Sequence, residues 1–322
     1  MEQADVRKER IEVMEVKKTI TGDDLSEEHC RMVLPEKNNP EDRHCASVGK
    51  GISFHSLPAA CKEYIDGVCF EMVFVPGGEF GMGSNAFCSD EKPVHQEIIK
   101  SFWFCKTEVT MRQFKLFIDK TGYVTDAEKG DGSYSWTDNG WSKQENVSWR
   151  CDERGKLRGD KDLDYPVVHI SWNDAMAFCK WLSGITGKIW RLPTEPEWEY
   201  AAGGGHACRE IWAGTDDEKA LGRFAWYRSN SAERIHKVAK KDPNKLGLLD
   251  MSGNVCELCS EWYGHYEGNE LFDPSGPSSE TDRAVRGGSW LYDSCYCRAS
   301  FRDFCTPVHR DGNLGFRMVM DL

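Results

Sequence analysis

Apolar positions in this chain fall into short runs of two periods. Phe70, Met72, Phe74 and Val75 predict a strand, Pro76-Gly77-Gly78 a turn, and Glu79-Phe80-Gly81-Met82-Gly83-Ser84 a returning strand, so that the three form a hairpin. Three stretches carry the helical period. The first starts at Thr110, a residue type that caps helices, and places Phe114, Phe117 and Ile118 on one face. The second starts at Ser171, lines up Ala175, Phe178, Cys179 and Leu182, and meets Gly184 near its end. The third opens on Thr194-Glu195-Pro196-Glu197, where Thr and Glu three apart satisfy each other's amides and Pro sits where its missing N–H costs least. The rest is turn-rich, with Gly203-Gly204-Gly205, Asp242-Pro243-Asn244 and Asp273-Pro274-Ser275-Gly276-Pro277. Few helices, short strands and long loops predict an irregular α+β domain over residues 68–322, without an internal repeat. Residues 1–67 read as a partly ordered N-terminal extension, weakly periodic at Val6, Ile11, Val13 and Val16, with a turn at Asn38-Asn39-Pro40-Glu41-Asp42.

Composition narrows the partners. The 322 residues carry a net charge of -12 and no Lys/Arg tract, which excludes a nucleic-acid backbone or anionic membrane as the expected partner. No apolar run approaches the roughly 18 residues that span a bilayer. Met1-Glu2-Gln3-Ala4-Asp5 lacks the basic and apolar regions of a signal peptide, which leaves a cytoplasmic chain or one whose export signal is absent. Of the 14 cysteines, only Cys256 and Cys259 form a CxxC, and no second one completes a zinc ribbon. Scattered core thiols with a few disulfides are the expected state.

Ordered motifs then add up to a family. Phe74-Val75-Pro76-Gly77-Gly78-Glu79-Phe80 with Met82-Gly83-Ser84, Lys106-Thr107-Glu108-Val109-Thr110, and Tyr165-Pro166-Val167-Val168-His169-Ile170-Ser171-Trp172 come first. Arg191-Leu192-Pro193-Thr194-Glu195-Pro196-Glu197-Trp198-Glu199-Tyr200-Ala201, Gly247-Leu248-Leu249-Asp250-Met251-Ser252-Gly253-Asn254-Val255, Arg286-Gly287-Gly288-Ser289-Trp290 and Gly315-Phe316-Arg317 follow. As a set they resemble formylglycine-generating-enzyme (sulfatase-modifying-factor) domains. The resemblance implies a loop-rich C-type-lectin fold with few helices and short antiparallel strands.

It also implies chemistry to look for. Sulfatase-activating members hold copper on two cysteines that follow the Gly-Gly-Ser-aromatic turn. The second falls on Cys297, whereas Tyr292 stands at the first, and a phenol does not replace a thiolate toward Cu(I). The expectation is therefore a chain that is not an enzyme and has no catalytic residues, the alternative being a copper-dependent oxidase with a non-standard site. Where the family reads Gly-Asn-Val-Trp-Glu-Trp, this chain reads Gly253-Asn254-Val255-Cys256-Glu257-Leu258. A structural Ca²⁺ would fall, by the same resemblance, on Asp250, Gly253, Val255 and Glu257, whose oxygens suit a hard cation. No other cofactor is expected. His95 and His169 read as structural histidines.

Residues 291–313 follow no helical or strand period and mix large apolar side chains with Asp, His and Cys. A frame of Cys297-Arg298-Ala299, Arg302, Pro307 and Arg310 shows within it. The segment holds no Glu, Gln, Lys, Met or Trp, the five types that an NNC codon cannot encode. Mutagenic reverse transcription turns AAC codons into NNC, so the chain resembles variable proteins of diversity-generating retroelements, in particular the treponemal type, which are surface lipoproteins. The resemblance implies a receptor-like protein at the cell surface that binds varied partners, the expected ligand being a macromolecule, a protein. Its implied ligand-binding positions are Leu291, Tyr292, Asp293, Ser294, Cys295, Tyr296, Phe301, Asp303, Phe304, Cys305, Val308, His309 and Asp311. Rigid aromatic anchors beside adaptable polar groups suit such a surface, and exposed Tyr and Phe are expected to form an apolar patch.

Overall fold

The computed structural model describes residues 59–206, 209–266 and 281–322. The extension through residue 58, including its weak helical period and the turn at Asn38–Asp42, lies outside the described residues, as does the turn at Asp273–Pro277.

Two sheets organise the domain. The larger has the order β1-β2-β5-β13-β8, built from β1 (Ala60–Ile65), β2 (Val68–Val75), β5 (Phe102–Cys105), β13 (Val319–Met320) and β8 (Trp190–Arg191). Strand β1 extends this sheet upstream of Val68, pairing Lys62 with Glu71 and Tyr64 with Cys69. Both faces of β2 are covered, so its inward residues come in two sets. Phe70 and Met72 enter a core with Trp103, Phe114 and Phe178, whereas Val73 and Val75 enter a second core with Phe102, Phe104 and Trp198. The expected hairpin across Pro76-Gly77-Gly78 is corrected. Strand β3 (Gly78–Met82) leaves β2 and pairs with β4 (His95–Ile99) instead. Added at Gly77, a Cβ would lie 2.4 Å from the Ile99 carbonyl oxygen, so close backbone approach at this corner requires glycine.

The helices follow the apolar stripes. Helix α1 (Met111–Thr121) is capped by Thr110 and Gln113, and α3 (Trp172–Thr186) by Ser171 and Asp174. The latter runs past Gly184 to a left-handed Gly187, because the stripe that ends at Leu182 holds its last turn down. Phe114 and Phe178 stack with centroids 5.7 Å apart, fastening these two helices together. Short α2 (Asp126–Lys129) precedes the hairpin of β6 (Ser133–Thr137) and β7 (Gly140–Gln144). Helix α4 (Glu195–Ala202) is buried on nearly every side.

The second sheet has the order β11-β10-β9-β12: β9 (Cys256–Trp262), β10 (Arg283–Arg286), β11 (Asp303–Cys305) and β12 (Leu314–Phe316), with β12 parallel to β9. It presents the 291–313 segment. No described helix is long and apolar enough to cross a membrane.

Candidate functional site

Four buried arginines lie in or beside the C-terminal segment, and Arg286, Arg298 and Arg302 fix its path. Arg298 donates to both carboxylate oxygens of Glu91 at 2.7 and 2.8 Å, and to the Cys295 carbonyl. Arg302 grips Glu195 in the same two-pronged way and also reaches the carbonyls of Asp90 and Gly264. Arg286 pairs with Glu199 and donates to the carbonyls of Ala299, Ser300 and Phe301. Arg317 pairs with Glu257 and donates to the carbonyls of Cys105, Lys106 and Leu249. All four arginines are nearly inaccessible. A buried guanidinium is tolerated when most of its donors are paired, and each of these pairs several in one planar fork, with Nε of Arg286 left without a partner. Burial raises the Glu195 and Glu91 carboxyls, but the arginine charges and hydrogen bonds outweigh it and hold both below the ordinary carboxylate value.

The acids of α4 explain this frame. Glu195 serves Arg302, Glu197 serves Arg191, and Glu199 serves Arg286 and Arg209. Sequence reasoning saw only a capping box there. Three glutamates alternating with Trp198 and Tyr200, and followed by two alanines, were the available signal of buried ion pairs. Glu91 carried no such signal.

Within this frame the implied ligand positions divide. Leu291, Tyr292, Tyr296, Phe301 and Cys305 are buried in the main core. The exposed aromatic patch expected from the sequence is therefore corrected. The 3-10 turn Ser294–Cys297 folds the segment back, so Tyr296 meets Tyr292 at 6.0 Å and Phe301 at 5.1 Å between ring centroids, removing all three rings from water. Gly288 permits the fold-back, since a Cβ there would lie 2.4 Å from the Tyr296 carbonyl oxygen. Asp293 and Val308 are exposed, and Ser294, Cys295, Phe304 and His309 are half-buried.

Asp303 and Asp311 are buried beneath them. The Tyr292 hydroxyl donates to Asp303 at 2.9 Å, and the amide of Phe304 donates to its other oxygen. Burial pushes the Asp303 carboxyl up to about 6, against the pull of those two bonds. His309 and Asp311 lie 2.9 Å apart, Nε2 to Oδ2. Two concavities adjoin here, with His309 in the wall of both. One, of about 20 Å³, is lined by Cys256, Val285, Tyr292, Asp303, Phe304, Cys305, His309, Asp311, Asn313 and Leu314. The other, of about 200 Å³, lies between the β6–β7 hairpin and residues 306–310.

The thiols are placed for packing. Cys256 and Cys259 sit on opposite faces of β9, in different cores, so the CxxC does not converge on one metal. Burial raises the Cys297 thiol well above its usual value, with the neighbouring Cys295 and Asp293 adding to it. Tyr292, at the position of the family's first cysteine, is occupied with Asp303. Among the described residues, Cys88, Asp90 and Glu91 gather three ligand-type groups, but Glu91 is committed to Arg298. His169 is fully buried, 2.9 Å from the Ser133 hydroxyl and 2.7 Å from the Asp152 carbonyl. Burial lowers its imidazole to about 4, so it stays neutral and structural.

For the implied calcium site, the oxygens fit in part. Asp250 Oδ1 is buried without a hydrogen-bond partner, and so is Oε2 of Glu108, a residue the sequence reading passed over. Burial raises both carboxyls, Asp250 to about 6, by more than the nearby Arg317 charge lowers them. Asn254, between Gly253 and Val255, donates to Glu108 Oε1 at 2.9 Å. Asp250 and Glu108 would hold the ion with main-chain oxygens of Gly253 and Val255, whereas Glu257 is committed to Arg317 and Trp198.

Comparison with known proteins places these features. Residues 60–322 match the model of the sulfatase-modifying factor enzyme 1-like domain. A formylglycine-generating enzyme of Streptomyces coelicolor is 37% identical over 290 residues, covering 77% of this chain and 88% of its own. One from Thermomonospora curvata is 33% identical over 299 residues, covering 78% and 93%. The solved Treponema denticola variable protein 1 superposes with a TM-score of 0.66 at 26% identity, covering 83% of this chain and all of its own. These relatives correct the expectation, drawn from Tyr292, that the chain is not an enzyme. Relatives across most of its length are named as enzymes, and one exchanged position does not remove it from an enzyme family. By its matched length and its relatives, the chain belongs to the family of sulfatase-modifying factor enzyme 1-like domains, with their C-type-lectin-like fold.

Proposed function

We propose that this chain is a receptor-like binding protein that engages a polypeptide partner through the surface of its 291–313 segment, and that a retroelement diversifies this segment. One observation carries the reading: two adjoining concavities are walled by the segment, above a frame of buried arginine–glutamate pairs. Exposed side chains at the rim of a pocket on a rigid frame vary at little cost to the fold, which a diversified surface requires. The likeness to the Treponema variable protein supports it. The test is to sequence the 3′ end of the gene and its flanks in many clones. The expected result is a near-copy of the segment beside a reverse-transcriptase gene, with substitutions confined to the named codons. Invariant codons ending in A or G at most of them would overturn it.

A second reading, a copper-dependent oxidase of the formylglycine-generating type using Cys297, is favoured by the relatives that are named formylglycine-generating enzymes. Tight Cu(I) uptake that disappears in Cys297→Ser supports it, and absence of uptake removes it.

A further inference from the structure

The larger concavity has a chemical character that the segment alone does not supply. It is lined by Gly132, Ser133, Tyr134 and Lys143 from the β6–β7 side and by Thr306, Val308, His309 and Arg310 from the other. No Asp or Glu lines it, in a chain whose net charge is -12. Its chargeable groups are Lys143, His309 and Arg310, of which His309 is already held by Asp311.

The cations are fixed in place. Arg310 donates to the carbonyls of Gly132 and Val308, and at 2.9 Å to Asp131. Lys143 pairs with that same Asp131 and lies 5.6 Å from the centroid of the Tyr134 ring. Asp131 stands at the rim, its side chain 63% exposed. Two cations therefore share one solvent-facing carboxylate, which neutralises only half of their charge. The flanks are apolar, with Val308 55% and Tyr134 37% exposed. Tyr134 and His309 lie nearly parallel, centroids 5.9 Å apart.

Size selects the occupant. Cofactor and drug-sized sites enclose roughly 300–1,000 Å³. About 200 Å³ holds a single amino-acid side chain. An aliphatic stem against Tyr134 and Val308, ending in an anion at Lys143 and Arg310, satisfies every wall.

We propose that this pocket receives an acidic side chain, Glu or Asp, of the polypeptide partner, and that Tyr134 and Lys143, outside the diversified segment, are specificity-determining residues. The incoming carboxylate takes the place of Asp131 on the two cations. This rests on the ligand-binding reading and adds the partner's chemistry to it.

The test is selection of a random-peptide display library on the full chain, followed by affinities of the selected synthetic peptides for wild type, Lys143→Glu and Tyr134→Ala. Lys143 is exposed on a hairpin strand, so its exchange leaves the core intact. The expected result is enrichment of Glu or Asp at one peptide position. Affinity should fall with added salt and about tenfold in Lys143→Glu, which should itself select basic peptides. Tyr134→Ala should weaken binding without changing the selected charge. Peptides that lack an acidic residue, or that bind Lys143→Glu as well as wild type, overturn the acidic-side-chain proposal and leave the binding reading standing. A wild-type chain that selects no peptide overturns both.

Discussion

Arg298 and Val308 belong to the same C-terminal segment and meet opposite surroundings. Arg298 is inaccessible, its guanidinium matched to both oxygens of Glu91 and capped by a backbone carbonyl. Val308 is 55% exposed at the edge of the larger concavity. Asp303 stands between them in kind, a buried carboxylate held by a phenol and an amide where Glu91 and Glu195 have arginines. One stretch of chain thus combines residues that close their hydrogen bonds inward with exposed ones such as Val308, which lines the larger concavity.

The largest expected effect lies in the frame. Arg298→Ala leaves Glu91 as an unpaired buried charge, which costs about 3–5 kcal/mol. Urea denaturation of the full chain measures it. Joint replacement, Arg298→Met with Glu91→Leu, should return much of the loss, because the uncompensated charge is then gone. A loss below about 1 kcal/mol in the single variant would erase the distinction between frame and surface.

How far these roles could be read from the sequence depended on their range. Caps and stripes are local, so Thr110, Ser171 and Thr194 were legible as helix starts, and the loop-rich α+β class followed from turn residues. The path of β3 was not, because its partner β4 is chosen by the Gly77 corner and not by the intervening turn. The frame arginines stood out within the segment, but their partners Glu91 and Glu195 lie about two hundred and one hundred residues upstream and share no pattern with them. The aromatic residues were misjudged for a related reason. Tyr296 and Phe301 look like surface anchors until the turn at Ser294–Cys297 stacks them inward. Tyr134 and Lys143 were invisible, since only the tertiary fold brings their hairpin against residues 306–310.

The intermediate case yields a pH signature. Burial raises Asp303 from 3.8 to about 6, so the folded protein holds this proton more tightly than the unfolded chain. Its contribution to stability is complete below the unfolded value and is lost as the pH rises through 6. A shift of this size corresponds to about 3 kcal/mol. Asp303→Asn keeps an acceptor for the Tyr292 hydroxyl and carries no charge at any pH. Between pH 4 and 7 wild type should lose about 3 kcal/mol that the variant keeps, read from denaturation midpoints across that range. Parallel profiles would mean that Asp303 already has a cationic partner and belongs with the frame.

The smallest expected effect is the one the binding reading needs most. Val308 is exposed at the pocket edge, and Asp293, its side chain 56% exposed, makes only a 3.7 Å surface pair with Arg228. Exposed pairs of this kind contribute roughly 0–1 kcal/mol, and isolated surface substitutions stay within about 0.5. Val308→Asn and Asp293→Asn, singly or together, should therefore leave the denaturation midpoint within about 0.5 kcal/mol of wild type while changing which peptides the chain selects. Stability and selectivity are then written in different residues of one segment, as a surface open to variation demands. A Val308→Asn chain that unfolds as readily as Arg298→Ala would show that this edge carries the fold, and that the segment has no positions free to vary.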